Sequence, residues 1–465
     1  MRLKNLKKKL KTLRDRIEKD SRIDKLVDDS IPTDPVEFAT KLFSFKPTPY
    51  QERLLRDKSK RIAVRFSRQS GKTTVIALRA IWYASIHPKT LTLIVSPSMR
   101  QSMIMMDRIQ NFLLNLPDSL RERIVSKTGV RRTTIRFRNG SQIVALPCSI
   151  HLLRGYTAHQ VLVDEAAFIK DDETLIYSVI YPMLATTDGI LVLSSTPWSK
   201  NSVFYKACSD PSYSKHIATW RDVVEAGLVK QEFIEEMRRV IPPERFKREF
   251  ETEFIEDEDS YLPQNLIAKC IDPELEYYDP QSKPRGIFYS GLDLGKHRDH
   301  SVIAIVEKVE EHLKLVHCHR FPLETSYTTI IGYMRNLCNL WSDIIAVYVD
   351  QTGVGEYIVE DMRSIGIPVE GVTLTIQRKE EILGYLKQAM IEGRLSIPYD
   401  PDLIVEMNSE KFSLTKDGHI LFTHSSGSHD DMLWALALAV YASKEGIPSI
   451  SKSRRVLYNL RRMFR

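Results

Sequence analysis

Residues 61–86 read RIAVRFSRQSGKTTVIALRAIWYASI, and the fold follows from how that stretch divides. Arg61 to Phe66 form a short apolar run that reads as a buried strand, and Thr74 to Ile86 read as a helix. Between them lies SRQSGKTT, from Ser67 to Thr74. A strand, a small polar loop and a helix in that order make a phosphate loop. Gly71 lets backbone N–H groups approach phosphate oxygens, the Lys72 ammonium can reach the β and γ oxygens, and the Thr73 hydroxyl can ligate Mg²⁺. The usual pattern opens with a Gly five positions before Gly71, where this chain has Phe66, so the loop is a deviant form.

Working outward, Leu91 to Ser96, Thr134 to Phe137, Gln142 to Leu146, Gln160 to Val163 and Ile190 to Ser194 read as further strands. Strands alternating with helices predict an α/β sheet with ligands at the carboxyl ends of its strands. Val161 to Val163 run into Asp164 and Glu165, so Asp164 is the expected Mg²⁺ ligand and Glu165 the group that polarises the attacking water. Leu193-Ser194-Ser195-Thr196-Pro197 ends a later strand with small hydroxyl residues, a position suited to sensing a γ-phosphate. Upstream, Gln51 lies about twenty residues before the loop and is expected to read the adenine edge. The expected nucleotide-binding set is therefore Gln51, Ser67, Arg68, Gln69, Ser70, Gly71, Lys72, Thr73, Thr74 and Asp164. Two arginines are candidates for stabilising charge on the γ-phosphate. Arg68 lies inside the loop and could act in cis; Arg154 lies ten residues before Asp164 and could reach a neighbouring subunit's ATP. Either could instead be structural or contact DNA.

A second constellation follows. Residues 286–295, GIFYSGLDLG, read as a strand ending in Asp293, followed by strands at Ser301 to Val306 and Leu313 to His317. Three adjacent antiparallel strands, the first carrying an Asp, open a ribonuclease-H-like fold. Ile344 to Val349 then run into Asp350, and His429-Asp430-Asp431-Met432 opens an apolar helix from Leu433 to Ser443. Carboxylates at two strand ends and one helix start can converge to bind two Mg²⁺ or Mn²⁺ ions for phosphodiester cleavage. Asp293, Asp350, Asp430 and Asp431 are the candidate ligands and catalytic carboxylates, with the choice of inner ligand between Asp430 and Asp431 open. His297, His300, His424 and His429 lie nearby, while His317-Cys318-His319 is read as structural because a strand alternates its faces.

Composition fits an enzyme: 43% hydrophobic and 27% charged residues over a length that suits two domains. No apolar run reaches the roughly 18 residues of a membrane span, and the start MRLKNLKKKL lacks the apolar stretch of a secretory signal. The five cysteines form no CxxC pair, which points to a reducing compartment and away from a zinc site or disulfide framework. The formal charge of +7 sits in the ends. Residues 1–25 hold eleven Lys/Arg against four Asp/Glu, and residues 451–465 hold six Lys/Arg and no acid, so the body carries 7 − 7 − 6 = −6. Such ends suit phosphate backbones or an acidic partner. Leu3, Leu6, Leu10, Leu13 and Ile17 stripe one face of the first basic segment as a helix. An acidic stretch from Glu249 to Asp259 followed by Pro-bearing segments up to Pro284 marks the junction. The expected division is a basic amphipathic helix at 1–30, a P-loop ATPase motor core at 31–215, a lid or linker at 216–285, a ribonuclease-H-like nuclease at 286–445 and a basic tail at 446–465.

Taken in order, Tyr50-Gln51, SRQSGKTT, LRGYTAHQVLVDEAAF, LSSTP, GLDLG, VYVDQTGVG and HDDMLWALALA resemble the motifs of the large subunit of viral, tailed-phage-type DNA-packaging terminases. The resemblance spans about residues 45 to 442. It implies a RecA/helicase-like ATPase motor followed by a ribonuclease-H-type endonuclease, with ATP and Mg²⁺ at the first site and Mg²⁺ or Mn²⁺ at the second. It implies double-stranded DNA, a portal protein and a small terminase subunit as partners. It also implies a homo-oligomeric ring, taken as a pentamer, at work in the host cytoplasm during virion assembly and absent from the finished virion. By the same resemblance Lys72 and Thr73 match the nucleotide pair, Asp164 and Glu165 the Mg²⁺ and base pair, Arg154 an arginine acting in trans, and Asp293, Asp350 and Asp430/Asp431 the nuclease ligands. A repair helicase–nuclease would need a second motor domain, and none is legible after residue 285; a transposase shares the nuclease fold but seldom carries a phosphate loop in the same chain.

Overall fold

A computed structural model describes residues 31–255, 260–295, 299–352, 356–414, 420–424 and 429–445. The basic helix expected at 1–30, the basic tail at 446–465 and His297 lie outside the described residues, as does the side chain of His424.

The first sheet has eight strands: β1 (Arg61–Phe66), β2 (Leu91–Ser96), β3 (Val125–Val130), β4 (Thr134–Phe137), β5 (Gln142–Pro147), β6 (Gln160–Asp164), β7 (Ile190–Ser194) and β8 (Ser214–Ala218). Their spatial order is β3-β4-β5-β2-β6-β7-β1-β8, with every neighbour from β5 to β8 parallel. Helices cover both faces, so the central strands are apolar on both sides. Ile62, Val64, Ile94, Leu162 and Val192 enter one core, and Ala63, Leu93, Val161, Val163 and Leu191 enter the other. The edge strands β3 and β8 were not legible in the sequence. VSKTGV and SKHIA are half polar because an edge strand need bury little. The sheet also runs past the expected boundary at residue 215, because β8 pairs with β1 through Ala218.

The second sheet contains β9 (Ile287–Asp293), β10 (Val302–Val309), β11 (His312–Arg320), β12 (Ile344–Asp350), β13 (Val369–Val372) and β14 (Leu395–Ser396), in the order β13-β12-β9-β10-β11-β14. β9, β10 and β11 are antiparallel, β12 runs parallel to β9, and β13 parallel to β12. This is the ribonuclease-H-like arrangement that the strand reading expects. A separate hairpin pairs Glu410–Leu414 with Ile420–His424.

Five helices position the sites: α1 (Pro49–Arg56), α2 (Lys72–Ile86), α3 (Pro243–Glu249), α4 (Pro401–Ser409) and α5 (Asp431–Glu445). α5 is buried from Met432 to Ser443, which explains its lack of a polar stripe. It crosses β9 at Gly291, where an added Cβ would lie 2.0 Å from the Ala435 carbonyl oxygen and 2.5 Å from the Ala439 nitrogen. Only glycine permits that approach. The region between the sheets is shared out. α3 leans on the phosphate loop, while Ser260 and Ile271 form bridges with Lys411 and Ile397 of the second unit. One continuous apolar cluster joins both units, running from Val163 and Leu193 through Phe168 and Trp198 to Tyr261, Ile267 and α5.

Gly291→Ala should push α5 off β9 and destabilise the second unit by about 3 kcal/mol; thermal unfolding of the purified variant checks this, and an unchanged midpoint would contradict the close packing.

Candidate active sites

The first site lies at the carboxyl edge of the first sheet, where β1, β7 and β6 are adjacent. β1 ends at Phe66, and the loop turns through Gln69 (φ 61°) and Gly71 (φ 75°) before α2 begins at Lys72. The positive φ at Gly71 favours glycine, and a Cβ there would meet Gln51 Nε2 at 2.7 Å. Gln51 Nε2 and the Tyr50 hydroxyl both donate to the Ser70 carbonyl, at 2.8 and 2.9 Å. Gln51 Oε1 accepts from the Thr48 N–H at 3.0 Å, closing the capping box of α1. The structure therefore places the Gln51 amide as a clamp under the loop. The expected adenine contact is a different use of the same amide.

Lys72 reaches across to the neighbouring strand ends. Its Nζ lies 3.1 Å from Glu165 Oε1 and 3.9 Å from Asp164 Oδ1, with the Lys72 side chain only 11% exposed. Burial alone would push the ammonium down, but the two carboxylates outweigh it and hold it above its ordinary value. Burial also raises the Asp164 carboxyl, against the pull of Lys72. Ser194 Oγ donates to Asp164 Oδ1 at 2.7 Å, and Ser195 Oγ to Glu165 Oε2 at 3.1 Å. The LSSTP segment thus touches the acids through its hydroxyls. Glu165 has φ 52°, a left-handed conformation uncommon outside glycine, which turns its carboxylate back toward the loop.

The two candidate arginines part company. Arg68 Nε is paired with Glu249 Oε2 at 3.0 Å, and the Arg68 N–H donates to the Glu249 carbonyl at 2.9 Å. Glu249 ends α3 and also accepts from Arg245 Nε at 3.0 Å. Arg68 is therefore latched to the end of α3 in this conformation. Arg154 is exposed just beyond β5, with no ion pair among the described residues. β5 stands four strand positions from β1, roughly 19 Å at about 4.8 Å per strand. Ser67 to Thr74, Glu165 and Glu249 line a cleft of about 660 Å³, within the usual range for small-ligand sites.

The second site is built at the carboxyl ends of β9 and β12. Val349 pairs with Leu292, so Asp350 and Asp293 stand side by side as the next residues. The α5 start brings Asp431, whose Oδ2 accepts from the His300 N–H at 3.0 Å. Asp293 is pushed well above the usual carboxylate range, first by burial and then by crowding from Asp431, Asp350 and Asp430. Among the four, Asp430 Oδ2 accepts from Trp434 Nε1 at 2.9 Å. Asp431 is the more buried of the two neighbours, at 3% exposed. Asp350 Oδ1 is held by the N–H and hydroxyl of Thr352 at 2.8 and 2.5 Å. Ligand atoms of Asp299, His429 and Asp431 also lie within 4.8 Å of one another. A crowd of facing carboxylates with its charge unbalanced fits a divalent cation. His317 and His319 share one face and lie against Tyr333 at 6.0 and 4.9 Å, and burial pushes His317 down to about 4. Cys318, between them, faces the other side of the strand, beside Tyr277.

Three polar groups near the sites escaped the sequence reading: Glu249, Asp299 and Glu406. Glu406 is buried, pairs with Arg320, and accepts from the Met432 N–H at 2.7 Å, capping α5 beside Asp431. Burial pushes it up to about 7, against the pull of Arg320. A lone acid inside the apolar run Leu403-Ile404-Val405-Glu406-Met407 was the available signal.

The fold and the two strand-end sites define a class: a P-loop ATPase joined in one chain to a ribonuclease-H-like nuclease fold. Residues 64–269 match the family described as the N-terminal part of the T4-like-virus type terminase large subunit. The terminase large subunits of Thermus phage G20c and Thermus virus P23-45 are each 25% identical to this chain, covering 87% of it and 89% of their own length. The large terminase of bacteriophage HK97 overlaps it with a TM-score of 0.38 at 15% identity, over 86% of this chain and 95% of that one. Over most of its length the chain is similar to the large subunits of phage terminases.

The crowding at Asp293 has a pH signature. A carboxyl raised on folding makes the metal-free fold lose stability as pH rises above the ordinary carboxylate range. A divalent cation relieves that loss, so Mn²⁺ should raise the unfolding temperature more at about pH 8 than at about pH 6; an equal or reversed shift counts against a metal site here.

Proposed function

We propose that this chain is an ATP-driven motor that moves double-stranded DNA into a viral procapsid and a metal-dependent endonuclease that cuts that DNA. The observation that carries this is the pair of strand-end sites in one chain: Lys72 with Asp164 and Glu165 on the first sheet, and Asp293, Asp350 and Asp431 on the second. The motor core takes residues from about 31 to the end of β8, the segment to about 285 acts as lid and linker, and residues 286–445 form the nuclease.

At the motor site, Ser67 to Thr74 cradle the ATP phosphates on backbone N–H groups at the start of α2. Lys72 exchanges its carboxylate partners for phosphate oxygens, and Glu165, freed from that ammonium, orients and deprotonates the attacking water. Thr73 and Asp164 would hold Mg²⁺, which supplies charge neutralisation on the phosphates. Ser194 and Ser195 hold the two acids in register and report the state of the γ-phosphate to the following loop. Arg154 completes the site of a neighbouring copy in a homo-oligomeric ring, read as a pentamer. Arg68, once released from Glu249, is the cis alternative.

At the nuclease site, Asp293, Asp350 and Asp431 would hold one or two Mg²⁺ or Mn²⁺ ions, which activate water and stabilise the leaving 3′ oxygen of a phosphodiester. The chain's own part is to fix these carboxylates: the β9–β12 register sets Asp293 against Asp350, and the Gly291 crossing sets Asp431 above them. A portal protein and a small terminase subunit are the expected partners in the host cytoplasm during assembly. Among the described residues no helix is long and apolar enough to cross a membrane.

The activities should separate. Lys72→Ala should abolish ATPase and packaging into purified proheads while leaving Mn²⁺-dependent plasmid cutting. Asp431→Asn should do the reverse. Cutting by Asp431→Asn at the wild-type rate would refute the second-site assignment. A mixture of Lys72→Ala and Arg154→Ala proteins, each inactive alone, should recover ATPase if Arg154 acts between subunits; no recovery would place the finger in cis.

A further inference from the structure

The motor cleft is not closed by the motor alone. Tyr399, Pro401 and Val405, all from the second unit, line it beside the phosphate loop and Glu165. The Tyr399 ring packs edge-on against Phe168 at 5.6 Å, and Phe168 in turn lies 4.9 Å from Trp198. Phe168 follows Glu165 by three residues, and Trp198 directly follows the LSSTP segment. One ring of the second unit therefore touches the turn that carries the water-orienting acid. The segment bearing Tyr399 is anchored. Ile397 bridges Ile271, and the Tyr277 hydroxyl donates to Asp400 Oδ2 at 3.0 Å. Asp400 caps α4 through the Asp402 and Leu403 N–H groups. Burial first, and then the charges of Glu165 and Asp164, hold the Tyr399 hydroxyl well above its ordinary value.

α4 continues from the cleft to the nuclease. Seven residues beyond Tyr399, about 10 Å along a helix, Glu406 caps the first turn of α5 next to Asp431. A shift of α4 at its cleft end therefore moves the group that fixes the start of the carboxylate-bearing helix. We propose that Tyr399 is a positioning residue of the ATP site, supplied by the second domain, and that α4 transmits occupancy of that site to the Asp431 end of α5. This rests on the ATPase and nuclease assignments above and adds the residue and the helix that join them.

The test uses the full chain. Tyr399→Ala should lower ATPase kcat about tenfold or more with KM for ATP changed little, because the Glu165 turn loses its support. Tyr399→Phe keeps the ring packing and should restore kcat. Wild-type Mn²⁺-dependent cutting should change about fivefold when a non-hydrolysable β,γ-imido analogue of ATP is added, and in Tyr399→Ala that ratio should fall to one. A third measurement needs no variant: the same analogue should slow amide hydrogen exchange at 399–406 and at 432–435 of the wild-type protein. A Tyr399→Ala protein with wild-type kcat, a wild-type cutting ratio of one, or protection confined to the phosphate loop would each overturn the proposal. A wild-type protein in which the analogue fails to protect even residues 67–74 would overturn the ATP-site reading beneath it instead.

Discussion

The buried ion cluster of Lys72, Glu165 and Asp164 is the interaction on which the motor half depends. An ammonium and two carboxylates out of water are tolerated only because each is compensated by the others and by the hydroxyls of Ser194 and Ser195. Removing one member of such a buried pair costs about 3–5 kcal/mol, because it strands the remaining charge. The cluster also draws three strand ends together. The loop after β1, the acids after β6 and the serines after β7 must meet for any one of them to be satisfied. A site that folding already holds together is then available for nucleotide, whose phosphates bring a second set of partners for the same ammonium.

The nuclease half solves the opposite problem. Its carboxylates face one another with little positive charge between them, and Asp293 is pushed upward by that crowding. Backbone geometry holds the cluster in place: two parallel strand ends in register and a helix admitted by Gly291. Fixed strands and a rigid apolar helix keep groups together that would otherwise separate, and this is how a metal site is preorganised. Glu406 and Arg320 stand behind it as a compensated pair, while the carboxylates in front are left for a cation.

The two halves share one apolar cluster, and the polar elements between them have double duties. Glu249 latches Arg68 and holds Arg245; Arg248 stacks on Trp198 at 4.4 Å and reaches Asn408 in α4. In this conformation the segment between the sheets touches both units, and its helix α3 lends Arg248 and Glu249 to the wall of the ATP cleft.

The sequence by itself determined what is local. A glycine, a lysine and a threonine at a strand-to-helix turn point to a phosphate loop, and apolar runs ending in acids bring those acids to a sheet edge. The central strands and the carboxylates Asp164, Glu165, Asp293 and Asp350 were legible for that reason. Edge strands β3 and β8 were hidden, because partial burial leaves a mixed composition. Tertiary structure alone decided matters that depend on direction and distance. It turned Asp430 to Trp434 and Asp431 to His300, pinned Arg68 to Glu249, set Gln51 beneath the loop, and carried Tyr399 into the cleft of the other domain. Most of these are contacts between segments far apart in the chain, and no local pattern encodes which way such side chains point.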